Sequence, residues 1–288
     1  MSIPGEIARE MGVPAPADCP TIIRYMRGRP LDFDPGSRYA YSNFGYCVLG
    51  RIVEAVSGQT YEAYVAGEVL APAGIEQMRL GRSLPSQSPQ GEVHYYDDPS
   101  APLVASLFPG APASVPRPYG GFYLEAMDAN GGWVASAADL VRFSWALEPA
   151  NPAAILDGEI LTLMRSRPLP PLWEDSSTYY GLGWRVRPAG QSANCWHTGS
   201  LPGSVAVLYR TSSGLTWAAL FNSRPDTAGD EFLVDVIASL GQATFLYGVL
   251  RVLPAVLVLA AVGASLLVWA IWKRRRKVRQ FYPAPLRS

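Results

Sequence analysis

The first 247 residues of this 288-residue chain contain no lysine; its only two, Lys273 and Lys277, lie near the C-terminus. That excludes from the bulk of the chain any chemistry needing an ε-ammonium as base, Schiff-base former or phosphate clamp. Histidine is nearly as scarce, with only His94 and His197. The two are far apart and no H-E-x-x-H occurs, so no metal site is expected. Gly131-Gly132 has no phosphate-loop context, and no cofactor is expected either. The three cysteines, Cys19, Cys47 and Cys195, form no C-x-x-C pair. They read as small buried hydrophobes, with a disulfide as the lesser alternative. Also missing from MSIPGEIAREMGVPAPADC is a charged start followed by an apolar stretch, the mark of a signal peptide.

The formal net charge of zero conceals an uneven distribution. Eight of the 24 basic residues follow Gly248, where there is no acid, so residues 1–247 hold sixteen basic against 24 acidic residues, a net of −8. So acidic a domain is a poor ligand for nucleic acid or anionic lipid. A hydrophobic content of 49% with 11% aromatics is enough for a packed core.

One long apolar run stands out. VLPAVLVLAAVGASLLVWAIW, residues 252–272, is 21 residues without a charge. As a helix it measures about 31 Å, the thickness of a bilayer's hydrocarbon layer. Trp269 and Trp272 fall where interfacial aromatics are expected, and KRRRKVR follows at once while only Arg251 flanks the other side. The positive-inside rule puts the tail, residues 273–288, in the cytoplasm and residues 1–247 on the other side. The expected organisation is therefore a 1–247 domain, a single transmembrane helix over 252–272 and a basic cytoplasmic tail. An exported domain without a signal peptide implies late, tail-anchored insertion or an N-terminal region lost from this sequence.

Within the first domain, helices are expected from Thr21 to Gly28, from Tyr46 to Val56 with Gly58 as C-cap, and from Thr60 to about Leu70. Residues 98–119, rich in Pro, Ala and Gly, read as a long loop. Ser136 and Asp139 resemble a capping box opening a helix to about Leu147. Past Tyr179 come short β-rich runs, YYGLGWRVRPA, SVAVLYR and LTWAALFN, the last two joined by Thr211–Gly214. Asp230 to Leu240 reads as a closing helix. Helices, then an antiparallel sheet, then a helix make the fold class α+β.

Two short motifs could carry chemistry. Tyr41-Ser42-Asn43 stands just before a helix, and His197-Thr198-Gly199-Ser200 opens the strand series. Alone, either is cheap: Tyr41 and Asn43 could be turn residues, and His197 a strand-end histidine. Their setting raises them. FDPGSRYAYSNFGYCVLGRIVEAVSGQTYEAYV, APAGIEQMRLG, GGWVASAADLVRF, YGLGW and WHTGSLPG occur in that order over residues 20–240. Together they resemble the β-lactamase-like serine hydrolases: class C β-lactamases, D-Ala-D-Ala carboxypeptidases, D-aminopeptidases and related esterases.

The resemblance implies a β-lactamase/transpeptidase-like fold, an antiparallel sheet flanked by helices, and acyl-enzyme hydrolysis of an amide, β-lactam or ester. It implies a small-molecule or peptide substrate, including one derived from the cell wall, and no cofactor. By the same resemblance Tyr41 is the candidate general base, which a nearby cation must bring down from a pKa near 10. Asn43 is to bond the substrate amide, and His197 replaces the lysine of K-T-G, making that charge depend on pH. Thr198 orients substrate, Gly199 allows its close approach, and the Ser200 N–H supplies half an oxyanion hole. The family's third element, S-x-x-K, is absent, for no serine here has a lysine three places on. The expectation is an N-terminally incomplete chain, with a naturally degenerate remnant as the alternative; either is catalytically inactive. His94, in GEVHYYDD, is expected to be structural or at the surface.

Overall fold

A computed structural model describes residues 4–224, all within the first of two units into which the chain divides, Met1–Gly229. The expected membrane helix at 252–272, the basic tail and the helix at 230–240 lie outside the described residues. Among those described, no helix is long and apolar enough to cross a membrane.

The helical part comes first, and short polar side chains set its boundaries. Helix α1 spans Pro4–Met11 and α2 spans Cys19–Met26, where the Asp18 side chain accepts the Thr21 N–H. Helix α3 runs over Asn43–Ser57, starting earlier than its apolar periodicity suggested because the Ser42 hydroxyl accepts the Gly45 N–H at 3.0 Å. Gly58 ends it at φ +71°, in the left-handed region open to glycine. Helix α4, Tyr61–Tyr64, continues into a π-helical turn over Val65–Leu70. Strand β1 (Arg79–Leu80) pairs with β4 (Trp133–Val134). The stretch expected as one long loop is interrupted by a hairpin of β2 (Val104–Ala105) and β3 (Ser114–Val115). Helix α5, Ala137–Ala146, opens on a complete capping box, with Asp139 doing the work of the usual Glu or Gln. Helix α6 covers Gly158–Arg165. Helices α1 and α6 have no counterpart in the sequence reading; at eight residues each they offer barely two turns of periodicity to detect.

Strands β5 (Tyr179–Tyr180), β6 (Arg185–Ala189), β7 (Ser192–Leu201), β8 (Ser204–Arg210) and β9 (Thr216–Phe221) form an antiparallel meander in that order. One face carries the core. Val186, Cys195 and Leu208 pack with Tyr179, Trp184, Leu147 and Leu161, and Leu140 and Phe143 of α5 close over them. On the other face Trp196, Tyr209 and Trp217 stack in a ladder with ring centroids 5.6 and 5.1 Å apart.

Two features fix the frame. Cys19 and Cys47 form a disulfide joining the first turn of α2 to α3, with Cα atoms 6.1 Å apart. This corrects the expectation of three free, buried thiols; the partners are 28 residues apart, and only tertiary packing brings them together. Cys195 is free and buried, as expected. Second, Glu148, 5% exposed, takes ion pairs from Arg165 of α6 and Arg210 of β8. The Arg210 Nη2 reaches Oε2 at 2.7 Å. One carboxylate thus ties the end of α5 to α6 and to the sheet.

Two outcomes follow. Denatured without reductant, the protein should expose one reactive thiol, and after reduction all three, as counted by a chromogenic disulfide reagent. Glu148→Gln leaves two half-buried guanidinium groups without their counter-charge and should cost about 2 kcal/mol, read as a lowered midpoint in urea.

Candidate functional site

The decisive local feature is where β6 leaves β7. Their pairing runs from Ala189↔Ser192 to Arg185↔Trp196 and stops there. Strand β8 continues beside β7 through His197↔Leu208, Thr198↔Val207, Gly199↔Ala206 and Ser200↔Val205. Residues 197–201 are therefore paired on one side only among the described residues, leaving backbone N–H and C=O groups of alternate residues unclaimed on the other. The YYGLGW turn between β5 and β6 causes the departure. Gly183 lies at φ +80°, and a Cβ on Gly181 would sit 2.4 Å from the Met164 carbonyl oxygen. Leu182 N–H bonds that same oxygen at 2.9 Å, so the turn is seated against α6.

Along the open edge, side chains alternate. His197 and Gly199 share the face of Cys195, while Thr198 and Ser200 share that of Trp196. The four residues thus do not make one array of side chains; what they have in common is the edge. At Gly199 an added Cβ would meet only the Ala206 Cβ, at 3.5 Å, an ordinary contact. Packing within the sheet does not itself demand glycine there.

His197 joins an aromatic cluster centred on Tyr180. Its Nε2 lies 2.8 Å from the Tyr180 hydroxyl, and Tyr46 of α3 acts electrostatically on that same hydroxyl. Tyr39 lies against Tyr180 at 5.6 Å between centroids and against Trp173 at 4.7 Å. Tyr41 acts electrostatically on Tyr180, and Tyr46 and Tyr39 act on Tyr41. Tyr41 and His197, 156 positions apart in the sequence, are thus both linked to Tyr180, the histidine by a hydrogen bond and Tyr41 electrostatically. Asn43, half-buried, is the first residue of α3.

The electrostatics depart from expectation at Tyr41. Rather than being lowered by a cation, its phenol is pushed above the usual value by partial burial, then by Tyr46 and Tyr39. It remains 59% exposed, and among the described residues no cation counters the rise. The cluster's cation, Arg185, acts instead on Tyr39 and His197. Burial, with Arg185 assisting, holds the imidazole below its ordinary value of 6.5, opposed by the hydrogen bond the ring donates to the Thr198 backbone. The shift favours the neutral form of His197.

Tyr39, Tyr46, Trp173 and Tyr180 were not singled out from the sequence. Tyr46 and Tyr180 lie inside quoted motif runs, but a tyrosine among fifteen gives no sign of its hydroxyl's partners. Trp173 carries φ +61°, an uncommon backbone for a bulky residue. His94 is tied into the structure as expected. Its Nδ1 lies 2.9 Å from the Tyr119 hydroxyl, and its carbonyl accepts from Asn222 at 2.8 Å. Among the described residues no His, Cys, Asp and Glu gather in a group that could hold a metal.

The fold, the edge and the ordered motifs meet a match to known proteins: the Beta-lactamase family model covers residues 1–242. The chain belongs to the beta-lactamase family. It is 26% identical to Penicillin-binding protein 4* of Bacillus subtilis over 212 residues, 70% of this chain and 44% of that protein. The octameric penicillin-binding protein homologue of Pyrococcus abyssi superposes with a TM-score of 0.55 at 25% identity, over 76% of this chain and 47% of that one. The penicillin-binding protein of Bacillus halodurans gives 0.56 at 20% identity, over 77% and 63%, a likeness of fold. The chain spans about half the length of the curated relatives it matches most broadly. The mixed helix-and-sheet architecture expected of this beta-lactamase-family chain is the one observed.

The depressed imidazole has a consequence for stability. The folded state binds the proton less tightly than the unfolded state does, so the contribution is full above pH 6.5 and is lost as pH falls through the lower folded value. Urea midpoints should drop between pH 7.5 and 5, and His197→Gln should flatten that part of the slope.

Proposed function

We propose that this chain carries the Tyr-x-Asn and His-Thr-Gly side of a serine hydrolase site of the beta-lactamase family, held at a membrane by residues 252–272. The observation that supports it most is the hydrogen bond of His197 to Tyr180, a phenol on which Tyr41 also acts, beside the open edge at residues 197–201. An extended substrate adds to such an edge by backbone hydrogen bonds. In this reading a serine hydroxyl attacks the carbonyl carbon of an amide, β-lactam or ester, the leaving group departs protonated, and water releases the acyl group. The Ser200 N–H steadies the oxyanion, Asn43 holds the substrate amide, and Thr198 and Gly199 seat it against the strand. Tyr41 passes the proton. The names of the penicillin-binding relatives favour β-lactams and the peptides they mimic.

The chain has no Ser-x-x-Lys, so by itself it forms no acyl-enzyme. The raised Tyr41 phenol fits that absence, since the base lacks the cation that would lower it. The same observation favours a second reading, a hydrolase scaffold that binds peptide without turnover. The Cys19–Cys47 disulfide adds support for an oxidising, extracytoplasmic setting of the domain, as does the basic run after residue 272.

Covalent labelling tests the proposal. The 288-residue chain should give no adduct with a fluorescent penicillin. Joined to a family member's Ser-x-x-Lys-bearing segment, it should label, and His197→Ala or Tyr41→Phe should slow labelling at least about tenfold. Labelling of the chain alone overturns the predicted inactivity, and labelling of the joined protein indifferent to both substitutions overturns the site.

A further inference from the structure

We infer that Tyr180, backed by Tyr46, is the positioning residue for His197, offering the imidazole a hydrogen-bond partner in both of its protonation states. The geometry is a contact between two elements, the Tyr180 hydroxyl at the end of β5 and His197 Nε2 on β7 at 2.8 Å, with Tyr46 of α3 acting on the same phenol. The Tyr180 and His197 rings meet edge-on, 5.9 Å between centroids with planes 75° apart, so the contact runs through the hydroxyl and not through stacked faces.

A phenol can reverse its role where a fixed donor or acceptor cannot. When His197 is neutral with its proton on Nδ1, Tyr180 donates to Nε2. When the ring is protonated, Nε2–H donates to the Tyr180 oxygen, and the phenol proton turns away from the ring. Each state keeps the bond between the two side chains. The other groups around the ring do not offer this. Arg185, from β6, repels the protonated ring. Tyr39, packed against the Tyr180 ring, and Tyr41, both from the segment ahead of α3, act on the Tyr180 phenol. Among the described residues no carboxylate acts on His197.

The position is demanding as well as convenient. Tyr180 precedes the Gly181–Gly183 turn that steers β6 away from β7, and Gly183 leaves an added Cβ 3.8 Å from the Tyr46 hydroxyl. One turn therefore opens the strand edge and delivers the hydroxyl that sets the ring beside it. The inference gains its catalytic meaning from the proposed function, but the Tyr180–His197 hydrogen bond stands on geometry alone.

Two histidines make a direct test possible. The full chain, labelled with carbon-13 at histidine Cε1, is titrated by NMR from pH 4.5 to 8.5, with His94 as internal reference. The protonated ring loses a charge-assisted bond in Tyr180→Phe, worth more than the neutral bond lost by the other form. His197 should therefore titrate about half a pH unit lower, or more, with His94 unmoved. Tyr46→Phe, which leaves Tyr180 in place, should shift it the same way by less. An unchanged His197 titration in folded Tyr180→Phe overturns the inference; if that variant does not fold, an unchanged titration in Tyr46→Phe does so. Failure of the penicillin labelling described above would leave this titration untouched, so the two ideas fail separately.

Discussion

A strand with neighbours on both sides has its backbone fully occupied, and β7 is in that condition only as far as Trp196. Beyond it, from His197 to Leu201, β8 alone holds the strand. An open edge is ordinarily a liability, a template for unwanted pairing. Here it is short, and it is the feature around which the candidate site is arranged. Its position depends on the seating of a tight glycine turn against α6, and α6 in turn is held by the buried carboxylate of Glu148. The edge exists because a neighbour is pulled away, and the neighbour is pulled away by packing some distance off.

The site is unusual in how little fixed charge it contains. Arg185 is the cation within the cluster, and its reach is to Tyr39 and His197. Phenols and one imidazole supply the rest. Such groups respond to desolvation by holding their neutral forms, which the elevated tyrosines and the depressed histidine both express. No lysine lies in residues 1–247 to fix a charge there.

The frame around the site uses separate fastenings for its two sides. The disulfide secures α3, and with it the segment bearing Tyr41, Asn43 and Tyr46. The Glu148 ion pairs secure the sheet side, where β8 backs the His-Thr-Gly edge. Neither fastening touches the cluster. Each fixes the element from which the functional side chains project, which is how a site of flexible surface residues acquires a defined shape.

The sequence by itself was enough for the α+β class, helices first and the antiparallel sheet after them, the capping box at Ser136, the hairpin at Thr211–Gly214 and the family. These rest on local periodicity, turn chemistry and ordered motifs, which neighbouring residues express directly. Tyr41 and His197 could be proposed because their motifs are contiguous, and the absent Ser-x-x-Lys noted because a missing residue type can be counted. The Cys19–Cys47 bond, the parting of β6 from β7, the upward push on Tyr41 and the roles of Tyr46 and Tyr180 were decided by tertiary structure. Each arises between groups distant in the chain, whose distance and desolvation no local pattern encodes.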